Sequence, residues 1–268
     1  MVADASRGQL WSSGEAYEGY VGRWSRLVAR EFVQWLDAPA SGSWLDVGCG
    51  TGALGETIIS MRSPASVHGV DRTDAFVAFA REHAQDRRVT FSVGSAQALA
   101  TRGAMFDAVV SGLVLNFLPD PREAAQEFAR VLRPGGVAGA YVWDYAGEMQ
   151  MMRYFWDSAV ALDPAARELD EGRRCSICQP ELLIALLEST RLDGVQARAI
   201  DVPTVFTDFD DYWRPFEGGR APAPAYAMSL SEDRRIALRE RIRRHLPFNG
   251  DGSIRLVARA WAVKGKAS

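Results

Sequence analysis

Apolar positions in the middle of the chain alternate between short strand-like runs and longer helix-like stretches. The runs predict five strands, at residues 43–47, 67–70, 89–93, 106–111 and 137–143. Helical spacing separates several of them, most clearly at 75–84 and at 121–132, where a proline stands in the first turn. The fourth run, FDAVVS, is apolar almost throughout, which is typical of a strand buried on both faces. Strands separated by helices predict an α/β fold with a mostly parallel sheet and helices on both faces.

The two ends of the chain depart from this rhythm. The N-terminal part shows apolar positions at helical spacing, and the last strand-like run alternates apolar and polar residues. Two segments rich in Met and aromatic residues lie between the final strands, and we expect them to form a lid. The predicted parts of this single domain, 1–268, are an N-terminal cover (1–42), a core (43–145), two lid insertions after strands five and six (146–194 and 203–252) and two C-terminal strands (195–202 and 253–264).

Composition excludes several classes of function. The chain has 31 Lys and Arg against 34 Asp and Glu, so it lacks the basic excess with which proteins neutralise nucleic-acid phosphates. No apolar run reaches the roughly 18 residues of a membrane span. An odd number of cysteines, three, argues against a disulfide framework, and the N-terminus lacks the pattern of a secretory signal. We expect a cytoplasmic protein with no nucleic-acid partner and no membrane span.

A glycine-rich segment, DVGCGTG at residues 46–52, leads from the first predicted strand into a helix. Its glycines let the backbone approach a ligand and adopt positive φ, and the free amides at a helix start attract anionic or strongly polar groups. Asp71 ends the second strand 25 residues after Asp46, where a carboxylate can accept both hydroxyl hydrogens of a ribose. The pattern predicts a nucleotide-type ligand at the carboxyl ends of the strands.

Three further segments accompany this turn: GSAQ after the third strand, SGLVLN after the fourth, and LRPGG before the fifth. Together, LDVGCGTG, VHGVDRTD, GSAQAL, FDAVVSGLVLNFLPD and LRPGG resemble the motif series of class I, type 11 methyltransferases that depend on S-adenosylmethionine (SAM). That family is similar to the ubiquinone and menaquinone methyltransferases. The resemblance covers residues 44–142. It implies SAM as cofactor and a Rossmann-like, seven-stranded sheet whose last strand is antiparallel.

The resemblance also implies roles for individual residues around SAM. The glycines of the turn would face its methionine part, Asp46 would anchor the methionine amino group or the turn, and Asp71 would hold the ribose. Arg72, Ser95 and Ala96 would lie at the adenine. The residues implied in cofactor binding are Tyr20, Arg23, Asp46, Gly48, Gly50, Gly52, Asp71, Arg72, Ser95, Ala96, Ser111 and Leu113.

Asp144 and Tyr145 follow the fifth strand at its carboxyl end, which makes them the candidate catalytic residues, orienting the acceptor or serving as base. The same position suits Asp144 to capping the next helix, so both roles stay open. The Met and aromatic residues of the insertions are typical of a core, but they also suit a flat, apolar or aromatic acceptor. We predict no metal site, because the C-x-x-C at 175–178 lacks further ligands nearby in the sequence.

Three other functions fit part of the pattern. Gly48, Gly50 and Ala53 also satisfy the G-x-G-x-x-A of nicotinamide-dependent oxidoreductases, although Asp46 and LRPGG favour SAM. A SAM-binding regulator without transfer activity would share the cofactor motifs. A nucleic-acid amino-methyltransferase would carry N/D-P-P-aromatic after the fourth strand, where SGLV stands. We predict a SAM-dependent methyltransferase that transfers a methyl group to a small-molecule acceptor by in-line displacement.

Overall fold

The computed structural model describes residues 23–218 and 221–268. Its strands are β1 Ser43–Val47, β2 Ser66–Asp71, β3 Val89–Val93, β4 Phe106–Gly112, β5 Leu132–Trp143, β6 Leu192–Phe206 and β7 Ile254–Ala267. They form one seven-stranded sheet in the order β3-β2-β1-β4-β5-β7-β6. The pairs β1–β2, β1–β4, β2–β3 and β4–β5 are parallel, and the sheet ends in antiparallel strands. The predicted fold class is confirmed.

One helix precedes the first strand, and the other helices lie between strands in the chain. The helices are α1 Arg23–Leu36, α2 Ala53–Met61, α3 Asp74–His83, α4 Pro121–Val131, α5 Gln150–Leu162, α6 Glu171–Arg174, α7 Pro180–Glu188, α8 Phe209–Trp213, α9 Pro222–Ser229 and α10 Glu232–His245. Short 3-10 turns lie at Leu115–Phe117, Pro164–Glu168 and Arg214–Phe216. Within the described ranges, no helix is long and apolar enough to cross a bilayer.

Strand β4 occupies the centre of the sheet between β1 and β5. Ala108, Val109 and Val110 are fully buried, as the apolar run FDAVVS predicted for a strand covered on both faces. The helix that follows, α4, begins where expected: Pro121 occupies its first turn, and the Asp120 carboxylate accepts a hydrogen bond from the Arg122 amide at 2.8 Å.

The segment LRPGG lies inside β5 rather than before it. Leu132 pairs with Phe106, but the next pair is Val137 with Ala108, so β5 carries extra residues opposite one residue of β4. Gly135 adopts φ +75° at this irregularity, a conformation that glycine tolerates without steric cost. The glycines therefore form a bulge within the strand instead of a loop that precedes it.

The chain divides into two compact units. The core unit consists of residues 25–142, 177–200 and 260–268, and the second unit consists of Trp24 with residues 143–176 and 201–259. Helix α7, within the first predicted insertion, groups with the core unit, whereas most of both insertions falls in the second unit. That the insertions act as a lid stays a prediction.

The second unit has an aromatic core of its own. The rings of Phe155 and Phe216 stack with their centroids 4.5 Å apart, and the Tyr212 hydroxyl donates to the Met151 carbonyl at 2.8 Å. The buried Met and aromatic residues here include Met149, Met151, Met152, Phe155, Trp156, Phe206, Phe209, Tyr212, Trp213 and Phe216. Of the two roles open to this cluster, its burial favours that of a packed core.

Candidate functional site

The glycine turn after β1 adopts a backbone that only glycine tolerates readily. Gly48, Gly50 and Gly52 have φ values of +76°, +53° and +94°. The amides of Gly48 and Cys49 both donate to the Val70 carbonyl, at 2.7 and 3.1 Å, which ties the turn to the end of β2. Gly52 then stands at the N-cap of α2. The turn is therefore a rigid link between two strand ends and a helix start.

The three glycines differ in what surrounds them. A Cβ built on Gly48 would lie 2.3 Å from Val114 Cγ2, and one on Gly52 would lie 3.2 Å from Phe91 Cζ. A Cβ on Gly50 would meet nothing within 4 Å. Gly48 and Gly52 are thus required for packing within the protein, whereas Gly50 borders open space that a ligand can occupy.

Asp71 is held beside Gly50 by two backbone amides. Its Oδ2 accepts from the Gly50 amide at 3.0 Å, and its Oδ1 accepts from the Thr73 amide at 2.8 Å. Each carboxylate oxygen has a second acceptor site left in this arrangement. The contact fixes an acceptor for ribose hydroxyls next to the open glycine, which fits the role that the sequence predicted for Asp71.

Asp46 lies beneath the turn and is 1% exposed. Neither of its carboxylate oxygens has a hydrogen-bond partner among the described residues. Burial, with the negative charge of Asp71 as a second cause, raises the pKa of Asp46 to about 7; the nearby Gly55 amide offsets part of this rise. The two roles predicted for Asp46, anchoring the methionine amino group or anchoring the turn, both stay predictions.

The Asp71 carboxylate bears on which ligand the turn can take. An acidic residue at the end of the second strand also holds the ribose of a nicotinamide dinucleotide, so Asp71 alone suits either ligand. SAM carries an ammonium and a sulfonium group, which a carboxylate attracts. The open space at Gly50 and the Asp71 carboxylate beside it therefore fit SAM.

The raised pKa of Asp46 can be tested by measuring how the stability of the protein depends on pH. Because its pKa is raised to about 7 in the folded chain, against an ordinary value of 3.8, the folded state binds the proton more tightly than the unfolded state. This contribution to stability is present below about pH 4 and is lost as the pH rises to about 7. We expect Asp46→Asn to remove the decline, which amounts to a few kcal/mol at most.

The measurement is urea unfolding of both proteins at several pH values between 4 and 8. Glu171→Gln serves as the matched variant, because burial also raises the pKa of Glu171, to about 8, beside the Trp156 indole N–H that donates to it. Its effect should extend to higher pH than that of Asp46→Asn. Parallel stability curves for wild type and Asp46→Asn would show that the carboxyl is not perturbed.

Ser111 and Leu113 lie where β4 leaves the sheet. The Ser111 hydroxyl donates to the Val47 carbonyl at 2.8 Å, and the residue is fully buried, so it joins β4 to β1 and has no hydrogen left to offer a ligand. Leu113 has φ +61°, and its amide donates to the Tyr141 carbonyl at 2.8 Å. A leucine in the left-handed region is strained, and such strain is concentrated at functional sites.

The other residues predicted to contact the cofactor differ in their position relative to the glycine turn. The Gly94 amide donates to the Asp71 carbonyl at 2.9 Å, which places the segment with Ser95 and Ala96 next to the end of β2. Ser95 is exposed and Ala96 is buried, while Arg72 is exposed directly after Asp71. Tyr20 lies outside the described residues. Arg23 begins α1, and its side chain is also outside them.

The Asp144 carboxylate accepts hydrogen bonds from two backbone amides of the turn that follows it. Its Oδ1 accepts from the Gly147 amide at 3.0 Å and its Oδ2 from the Glu148 amide at 2.9 Å. A carboxylate that caps two amides is the second of the two roles left open by the sequence, and the geometry favours it over that of a base. Tyr145 is half-buried in the same turn.

Asn116 is a residue that sequence reasoning did not single out. Its side-chain nitrogen Nδ2 is buried and has no hydrogen-bond partner, although the residue as a whole is half-buried. It stands in the 3-10 turn that follows β4. The available signal was an amide in an otherwise apolar stretch, LVLNFL.

The strand order and the glycine turn together define the class I methyltransferase fold. Solved structures agree with this assignment at the level of the fold. The YcgJ protein of Bacillus subtilis superposes with a TM-score of 0.58 at 18% identity, covering 91% of this chain and 98% of that one. Phosphoethanolamine N-methyltransferase 2 of Haemonchus contortus, solved with SAM, gives 0.59 at 17% identity, covering 95% and 56%.

Sequence comparisons reach the same class. Residues 45–139 match the family described as methyltransferase domain. The chain is 29% identical over 177 residues to ubiquinone biosynthesis O-methyltransferase of Paracidovorax citrulli, covering 62% of this chain and 71% of the relative. It is 30% identical over 205 residues to 2-methyl-6-phytyl-1,4-hydroquinone methyltransferase of Synechocystis, covering 70% and 63%. Residues 45–139 thus match a methyltransferase domain, and the chain is similar to SAM-dependent methyltransferases in sequence and in fold.

The matches leave part of the relatives uncovered. The alignment spans 63% of the Synechocystis protein and 46% of the mitochondrial ubiquinone biosynthesis O-methyltransferase of Arabidopsis thaliana. The matched family segment ends at residue 139, before the turn of Asp144. The similarity therefore concerns chiefly the part of the chain that contains the glycine turn.

Proposed function

We propose that this chain transfers a methyl group from SAM to a small, aromatic acceptor of the phenol or hydroquinone type. The observation that carries the proposal is the contact between the Gly50 amide and Asp71, which puts a fixed carboxylate beside an open glycine at the switch between β1 and β4. The acceptor class is supported by the printed names of two relatives, which act in ubiquinone biosynthesis and on a phytyl hydroquinone.

The chain's own residues do the binding and positioning. Asp71 accepts the ribose hydroxyls, and the space at Gly50 admits the methionine part. SAM, when bound, supplies an electrophilic methyl group that needs no further activation. Catalysis then depends mainly on holding the acceptor in line and keeping water out. Because Asp144 is engaged in capping, we assign it no proton-transfer role.

The test uses SAM labelled with tritium in its methyl group. Purified protein is incubated with labelled SAM and either methylhydroquinone or a metabolite extract, and the organic phase is counted. We expect labelled product from wild type and a loss of at least about tenfold for Asp71→Asn, since a charge-assisted hydrogen bond to SAM is removed. Asp74→Asn, an exposed carboxylate at the start of α3, is the matched control and should keep full activity.

The outcomes separate the proposal from its alternatives. A protein that binds S-adenosylhomocysteine but labels no compound in either preparation would be a SAM-binding regulator, and methyl transfer would be rejected. Equal activity of Asp71→Asn and Asp74→Asn would reject the placement of SAM at the Gly50–Asp71 contact. Binding of NADH instead of S-adenosylhomocysteine would reject the cofactor itself.

A further inference from the structure

The ring of Phe91 lies across a glycine of the neighbouring strand. Asp46 of β1 pairs with Gly69 of β2, and Gly69 pairs with Phe91 of β3, so the three residues share one row of the sheet. Gly69 is buried, and the ring occupies the place where a side chain would stand: a Cβ on Gly69 would lie 2.5 Å from Phe91 Cδ1 and 2.8 Å from Cε1. The glycine inside β2 therefore makes room for the ring.

From this position the ring borders the glycine turn at two points. A Cβ on Gly52, the N-cap of α2, would lie 3.2 Å from Phe91 Cζ. A Cβ on Gly69 would lie 2.9 Å from Cys49 Sγ as well as 2.5 Å from the ring, so the thiol and the ring surround a common point. Cys49 and Gly52, which stand before and after Gly50 in the chain, are therefore both packed beside Phe91.

Phe91 is itself held in place by helix α3. Its carbonyl accepts two hydrogen bonds from the Arg81 guanidinium, at 2.8 Å from Nη2 and 3.2 Å from Nε. Ala80, the neighbouring residue on α3, is buried and would lie 3.7 Å from a Cβ on Gly52. Because a phenylalanine side chain turns about only two bonds, a ring with a fixed backbone has few other positions. The ring is therefore a firm support between β2, α3 and the start of α2.

Cys49 connects this support to Gly50. The Cys49 thiol is 6% exposed and donates to the Gly50 carbonyl at 3.9 Å. Burial, with the negative charges of Asp46 and Asp71 as further causes, raises the pKa of this thiol well above its ordinary range, so it stays a neutral donor. On its other side, Gly50 donates its amide to Asp71 at 3.0 Å. The contacts that begin at the ring thus end at the carboxylate of the proposed cofactor site.

We infer that Phe91 is a positioning residue for the cofactor, whose ring holds Cys49 and Gly52 in place and thereby fixes the Gly50 amide against Asp71. The inference rests on the proposed function, which puts SAM at that contact, and deepens it by naming a residue that sets the affinity for the methyl donor through the turn. The length of the side chain is decisive, because a shorter apolar side chain packs over Gly69 without reaching Gly52.

The test compares Phe91→Leu with Phe91→Met in the full-length protein. Leucine lacks the Cζ atom that borders Gly52, whereas the unbranched methionine is long enough to replace it. Calorimetry should show an affinity for S-adenosylhomocysteine about tenfold lower in Phe91→Leu, as for one weakened hydrogen bond, and within about threefold of wild type in Phe91→Met. Val89→Ala, two residues earlier in β3 and paired with Val67, is the control.

The control separates positioning from packing. Val89→Ala should lower the midpoint of urea unfolding and keep full affinity for S-adenosylhomocysteine. Wild-type affinity in Phe91→Leu, an equal loss in Phe91→Met, or an equal loss in Val89→Ala would each overturn the inference. If Phe91→Leu does not fold, Gly69→Ala takes its place, because the new methyl group displaces the ring from the other side and should lower the affinity similarly.

Alkylation of Cys49 gives a second readout that needs no cofactor. Iodoacetamide is added to the ligand-free protein, and the modified peptides are identified by mass spectrometry. Cys49 should react several times faster in Phe91→Leu and Gly69→Ala than in wild type, Phe91→Met and Val89→Ala, because a displaced ring opens the turn. Equal rates in all five proteins would overturn the inference.

These results are distinguishable from failure of the proposed function. A wild type that shows the expected affinities and alkylation rates but transfers no labelled methyl group supports the inference and rejects methyl transfer. A wild type that transfers methyl groups while Phe91→Leu binds S-adenosylhomocysteine normally rejects the inference and leaves the function standing. A wild type that does not bind S-adenosylhomocysteine rejects both.

Discussion

Replacement of Gly50 by alanine should lower the affinity for S-adenosylhomocysteine at least about tenfold while leaving the protein folded. The new methyl group meets no atom of the described residues within 4 Å, so it projects into the space beside Asp71 that the proposed ligand site requires. The backbone at φ +53° adds a strain of about 1 kcal/mol, small against a typical stability of 5–15 kcal/mol. Isothermal titration calorimetry measures the affinity, and urea unfolding measures the strain.

The chain offers a matched control for this substitution. Gly103, in the connection between β3 and β4, also has a positive φ, +67°, and also has nothing within 4 Å of its Cβ position. Gly103→Ala should therefore lose about as much stability as Gly50→Ala and keep its full affinity. Equal affinities for the two variants would mean that the open space at Gly50 is not the ligand site.

Replacement of Phe155 by alanine should lower the free energy of unfolding by about 4 kcal/mol. Phe155 is fully buried in α5, stacked on Phe216 at 4.5 Å and edge-on to Trp156 at 5.2 Å. Removal of the ring loses its burial and its aromatic contacts, including an edge-on contact with Tyr226, and it leaves a cavity among large rings that cannot easily close. Urea denaturation followed by tryptophan fluorescence reports the change, because Trp156 and Trp213 belong to the same cluster.

Leu162→Ala, on the same helix, is the control for helix propensity and for loss of an apolar side chain. Leu162 is 47% exposed, so its truncation should cost less than about 1 kcal/mol. A small effect at Phe155, similar to that at Leu162, would indicate that the second unit rearranges freely around the missing ring. Such a result would favour the other interpretation of the aromatic cluster, an adaptable pocket for the acceptor, over that of a packed core.

The geometry of the glycine turn was predictable because its determinants are local. Glycines at alternate positions between a strand and a helix, with an acidic residue at the end of the next strand, already contain the spacing that brings Gly50 and Asp71 together. The parallel sheet followed from the alternation of buried runs with helices, and the burial of β4 followed from its unbroken apolar sequence.

Other features depend on which groups meet in space, and sequence patterns do not contain that information. Asp144 could cap or catalyse until the amides of Gly147 and Glu148 were found on its two oxygens. Ser111 resembled a cofactor contact, yet its hydroxyl is used by the Val47 carbonyl on the neighbouring strand. Asn116 drew no notice, because the absence of a partner is visible only once every neighbour has been placed.

The carboxylate beside Gly50 has a consequence for how often the proposed site can be reused. SAM arrives with a positively charged sulfur and, after giving up its methyl group, leaves as a neutral thioether. In the proposed arrangement, the Asp71 carboxylate attracts the incoming donor more strongly than the spent one, since only the former carries the extra positive charge. The acid that would hold the methyl donor would therefore also weaken inhibition by the by-product and favour its exchange for a fresh molecule.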